Sequence, residues 1–131
     1  MAVELPILMK TFEANGDIST KQYYFVKPHT VFNRIVVCTG ATDIPIGVLQ
    51  NKPDAAGKAA EVMMIGLTKV SADAALTIGD LIGTSADGQA DAKTPGTDTT
   101  EYVVGRVYEA ASAAADIVSA FINCINPHRA A

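Results

Sequence analysis

Residues 116–125 read DIVSAFINCI, and the period of this stretch decides the fold class. Val118, Ala120, Ile122 and Cys124 form an unbroken apolar row, whereas Ile117, Ser119, Phe121 and Asn123 form a mixed one. Side chains of a strand alternate between its two faces, so the rows describe a half-buried strand. Just upstream, EAASAAA over 109–115 has the propensity of an Ala-rich helix. The alternation outweighs that propensity, and the segment is expected to be a strand.

Similar runs recur upstream, each closed by turn residues. They are Tyr23 to Val26, Arg34 to Thr39, Pro45 to Gln50, Glu61 to Val70, Leu76 to Thr84 and Glu101 to Ala110. Gly66 lies inside the longest of them, where a glycine marks a bulge or bend. Residues 89–100, QADAKTPGTDTT, offer no apolar face and are expected to be a surface loop. Two stretches share one grammar, 45–67 and 103–125. Each has a glycine in a β run (Gly47, Gly105), a small-residue connector, then an acid and a strand opening at Val62 or Val118. Upstream, Asn33 to Val36 matches Gly79 to Ile82. The chain is therefore expected to be all-β, with two similar antiparallel units on one core.

Residues 1–20 read as an extended N-terminal arm ahead of a single β-rich domain, 21–131. Leu5, Ile7, Leu8 and Met9 are apolar, Pro6 discourages a helix, and Asn15-Gly16-Asp17 is a turn signal. Such a strip is either a first strand or a segment that docks elsewhere. In the docking case Leu5, Pro6, Ile7, Leu8 and Met9 are the contact residues, and the domain folds without the arm, so that deleting residues 1–16 is expected to leave a folded oligomer of nearly unchanged melting temperature.

The 131 residues are one domain's worth, 49% hydrophobic but only 6% aromatic, with no Trp. A core of Val, Ile, Leu, Met and Ala buries less area per residue than an aromatic one, so self-association is expected to add stability. The net charge is −4 and no Lys/Arg cluster occurs, which argues against nucleic acid as a partner. No apolar run is long enough for a spanning helix, so no membrane partner is expected, and the N-terminus lacks the pattern of a secretory leader. Cys38 and Cys124 sit in apolar runs (IVVC, FINC) and are expected to be buried free thiols.

Chemistry is sparse. There is no serine elbow, Walker loop or dinucleotide glycine fingerprint. The two histidines, His29 and His128, have no ligand at metal spacing, and the many turn aspartates lack the oxygen ladder of a calcium loop. Pairing Cys38 with His29 as a nucleophile fails because an apolar run blunts a thiol. No catalytic residue, metal site or cofactor is expected. The aspartates, among them Asp80, Asp98 and Asp116, are expected to cap turns.

The order of weak motifs resembles a family of small tailed-phage capsid decoration, or cement, proteins. The carrying residues are PIGVL (45–49), AAGKAAEV (55–62), LTIGDLI (76–82), ADGQA (86–90), VGRV (104–107) and DIV (116–118). The resemblance covers about residues 35–125 and leaves the first 34 loosely matched. It implies a small β-barrel or β-tulip-like domain that forms a homotrimer on the outer capsid surface. Such trimers clamp neighbouring copies of the major capsid protein, and no active site is implied. Another virion part, a head-fibre base or tail-tube subunit, is an alternative. A glycan-binding module is a third, disfavoured by the missing Trp.

Overall fold

The computed structural model describes residues 2–131 and contains, among them, eleven strands and no helix. The strands are β1 (Leu5–Ala14), β2 (Phe25–Pro28), β3 (Arg34–Val37), β4 (Gly47–Leu49) and β5 (Ala59–Ser71). They continue with β6 (Leu81–Thr84), β7 (Ala90–Ala92), β8 (Tyr102–Val103), β9 (Gly105–Val107), β10 (Ile117–Asn123) and β11 (His128–Arg129). Nine form one sheet, while β8 and β11 pair separately. The period-two reading of 117–123 is the correct one: Val118, Ala120 and Ile122 are buried and Ile117, Phe121 and Asn123 exposed.

The long strand β5 organises the sheet. One edge carries β1, antiparallel from Leu5 opposite Leu67 to Glu13 opposite Ala59. The other edge carries β4 at Val62 and Met63, then β10 from Ile65 to Ser71. β1 also meets β3 in parallel at Glu13–Arg34 and Ala14–Ile35. The pairings β1–β3–β2–β4–β5–β1 therefore form a ring. Each of these five strands contributes to one core cluster: Ala14, Val26, Ile35, Leu49, and Ala60 with Val62 and Met64. Their alternate neighbours Phe25, Val48 and Met63 point the other way. They join the larger cluster built with Val70, Ile82, Val107, Val118, Ala120 and Ile122.

Met63 and Val70 share that cluster although seven residues apart, an odd spacing that unbroken alternation forbids. Gly66 lies between them at φ 144°, a backbone conformation open in practice to glycine alone. A Cβ there would also stand 2.6 Å from the Leu5 carbonyl oxygen. Gly66→Ala is expected to lower stability by about 3 kcal/mol; a melting curve within a degree of the parent would contradict this account of the bend.

The two units are visible in the ladders. Val26 faces Gly47 as Ile82 faces Gly105, and Val48 faces Met63 as Arg106 faces Phe121. β2, β4 and β5 thus correspond to β6, β9 and β10. Both glycines are needed for close approach: an added Cβ would lie 2.5 Å from Met63 O at Gly47 and 2.2 Å from Phe121 O at Gly105. The upstream match needs correction. Gly79 to Ile82 leads into β6, whose counterpart is β2, not the β3 segment Asn33 to Val36. The short residues that punctuate both hairpins look alike in sequence, and only the pairing distinguishes them.

Three other expectations change. Leu76 to Thr84 is a turn at 78–79 followed by β6, and Glu101 to Ala110 divides into β8 and β9. Residues 89–100 are not wholly a surface loop. Ala90–Ala92 forms β7 against β6, Ala90 is fully buried, and the Lys93 side chain is completely covered. The expectation failed because it counted apolar faces, whereas Lys93 is buried through polar contacts. Its ammonium donates to Thr84 O at 2.8 Å and pairs with Asp91 at 3.2 Å and with Glu101.

Candidate functional site

Buried chemistry is scarce here too. Cys38 and Cys124 are free and buried in the same core cluster. Burial pushes the Cys38 thiol up to about 12 and raises Cys124 as well. Neither is a nucleophile at neutral pH. Both should resist thiol reagents until denaturant is added, and fast labelling of the folded protein would contradict their burial. His29 is occupied within its own turn, where Nδ1 accepts from the Val31 amide at 3.0 Å. His128 belongs to β11, opposite Val103, not to a free tail. No group of three or more metal-ligating side chains occurs among the described residues. Asp80, Asp98 and Asp116 accept backbone amides in turns, the capping role expected of them, and Asp43 does the same.

The outer surface is more informative, and β1 dominates it. Every residue from Leu5 to Thr11 is exposed, on both faces of the strand. Ile7 is 77% exposed and Leu5 66%. A strand in a sheet ordinarily buries one face, and burial begins here only at Phe12. β1 is held at this end by one edge alone. Its second edge meets β3 only at Glu13 and Ala14, which leaves residues 5–12 without a strand partner on that side. Open apolar edges are what proteins ordinarily blunt or cover. Pro6 and two register irregularities, at Pro6/Leu8 and Leu8/Met9, break this one up.

Local contacts fix the strip in place. The Val3 amide donates to Ser119 Oγ at 2.7 Å, and Glu4 lies 3.3 Å from the Lys69 ammonium. Leu5, Pro6 and Ile7 line a cleft of about 390 Å³ with Ile65, Leu67 and Phe121. Phe121 is itself half exposed and packs edge-on against Tyr108, with ring centroids 5.0 Å apart. The sequence reading did not single out Phe121. Its signal was an aromatic in the outward row of DIVSAFINCI. The expected arm therefore divides within β1. Leu5 to Met9 are exposed, while Phe12 and Ala14 pack into the ring core.

The sequence pattern of the phage cement protein family matches residues 8–122, most of the chain. The chain belongs to the phage cement protein family. The match begins within β1 and ends in β10, so it takes in both units of this cement protein. Among solved structures, the fold is similar to the head fibre gp8.5 N base of bacteriophage phi29. The TM-score is 0.66 at 21% identity, covering 89% of this chain and 94% of that one. At that identity the likeness is one of fold. No curated protein sequence matches. As a cement protein, the chain has a structural, stabilising role at the phage head, within a family whose work is not catalytic.

Proposed function

We propose that this cement protein binds the outer surface of the assembled head as a homotrimer and holds neighbouring copies of the major capsid protein together. The family match carries this reading, and the uncovered β1 strip supports it. Leu5, Pro6, Ile7, Leu8 and Met9 are the contact residues. β5 already occupies one edge of β1, and the opposite edge is available for a strand of the capsid protein. A ligand that binds only the assembled shell stabilises it by mass action. Three strips on one trimer add avidity even when each binds weakly.

The test compares the parent with a variant carrying Leu5→Ser, Ile7→Ser, Leu8→Ser and Met9→Ser. Partial burial of four such side chains contributes on the order of 4 kcal/mol, or about a thousandfold in affinity for each copy. The variant should melt within a few degrees of the parent yet leave expanded, undecorated heads unoccupied. Full occupancy by the variant would remove the strip from the interface. Sedimentation of the parent at micromolar concentration should give about three times 13.7 kDa, and a monomer both free and on heads would remove the trimer. The similarity to a head-fibre base supports a second reading, a pedestal for a projecting fibre. Electron microscopy of decorated heads separates a low knob from a fibre.

A further inference from the structure

The turn between β2 and β3 presents an aromatic that the fold does not use. Phe32 is 95% exposed, the most exposed of the large hydrophobic residues described, and Val31 beside it is half exposed. The turn around them is firmly built. The His29 amide donates to Arg34 O at 2.9 Å and the Arg34 amide to Val31 O at 3.2 Å. The Val31 amide donates to His29 Nδ1. Asn33 takes the left-handed conformation at φ 64°, which asparagine tolerates well. Asn33 also ties the tip to β1, with its carbonyl accepting from the Glu13 amide at 2.9 Å and its Oδ1 from Lys10 Nζ at 2.8 Å. Phe32 thus projects from an ordered turn, and an aromatic with only two side-chain torsions presents contact area at low entropic cost.

The charge around the tip differs from that of the chain. The protein is net −4, yet between Asp17 and Asp43 no acid occurs, and Lys21, Lys27, His29 and Arg34 all fall there. Asp43 neutralises Lys27, and Glu13 stands opposite Arg34 in the β1–β3 ladder. Lys10 remains exposed beside the tip, held by Asn33. One exposed cation therefore stands beside the aromatic tip of a protein of net charge −4, which favours an acidic group on a partner at this point.

We propose that Phe32 is an anchor of this cement protein, entering an apolar pocket with an acidic rim on a protein of the head shell. The proposal rests on the cement reading and names the side chain that carries the contact. The tip adjoins β1 through Lys10 and Glu13, so anchor and strip are neighbours. Buried interface aromatics of this kind typically carry the largest single share of affinity.

Phe32→Ala tests it on expanded heads that lack the protein. The variant should keep the parent's melting temperature and sedimentation mass, because the side chain has almost no burial to lose. Its affinity for the heads should fall about thirtyfold or more. Lys10→Glu should weaken binding further as salt is lowered, whereas Lys10→Arg should not. Unchanged affinity of Phe32→Ala overturns the proposal. So does a smaller sedimentation mass with unchanged affinity per oligomer, which would assign Phe32 to contacts between copies. If the unaltered protein fails to bind heads, the cement reading itself falls, a result distinguishable from either.

Discussion

Deleting residues 1–16 is expected to lower the melting temperature by about 15 °C or to abolish folding, whereas deleting residues 1–9 should lower it by only a few degrees. The two truncations divide β1 where its burial changes. Residues up to Met9 contribute exposed side chains and pairing along one edge. Residues 10–16 contribute Phe12 and the fully buried Ala14, together with the parallel contact that joins β3 to the ring. Losing a packed Phe and opening the ring costs on the order of 4 kcal/mol, a large share of a marginal total. Thermal denaturation of both truncations decides the matter. If the shorter protein lacking 1–16 melts like the parent, the whole segment is an arm and the ring is not needed. If the protein lacking 1–9 fails to fold, Leu5 to Met9 are structural and cannot be a free contact strip.

The second large effect is expected at Lys93. Its side chain is wholly covered, and its three partners draw together β6, β7 and the segment entering β8. Lys93→Ala should cost about 2–3 kcal/mol, at the lower end for a broken buried pair, because Asp91 and Glu101 retain some access to water. The loop at 94–100 should then become a site of protease nicking. Lys93→Met combined with Glu101→Gln removes both charges and should recover part of the loss. An exposed-lysine phenotype, with no change in melting or nicking, would refute the anchor.

Fold class was legible because DIVSAFINCI and EVMMIGLTKV (61–70) alternate or run apolar at strand length, with turn residues at regular intervals. The two-unit pattern was legible from Gly47 and Gly105, which sequence can mark because only glycine fits against the neighbouring strand. Topology was not. Nothing local states that β1 runs along β5, or that β6 answers to β2, since both depend on pairings between residues far apart in the chain. The 89–100 segment misled for a related reason. A lysine among threonines and aspartates reads as solvated, and its burial depends on Glu101 and on the Thr84 carbonyl meeting it in space. Leu5 to Met9 were marked by composition, but Phe32 and Phe121 were not: Phe32 falls between two β runs and Phe121 in a mixed row, and a single aromatic in either place says nothing of what surrounds it in space.

The β1–β5 ladder has a mechanical side. Eight residue pairs run antiparallel along it, and their hydrogen bonds lie across the strand direction. A load applied along β1 through Leu5 to Met9 would pull on this ladder lengthwise instead of peeling it. Under such a load the rungs are sheared together, so none yields before the others. Torn sideways, they would open one at a time. The same strand would hold against a pull along its length and open under a sideways lift.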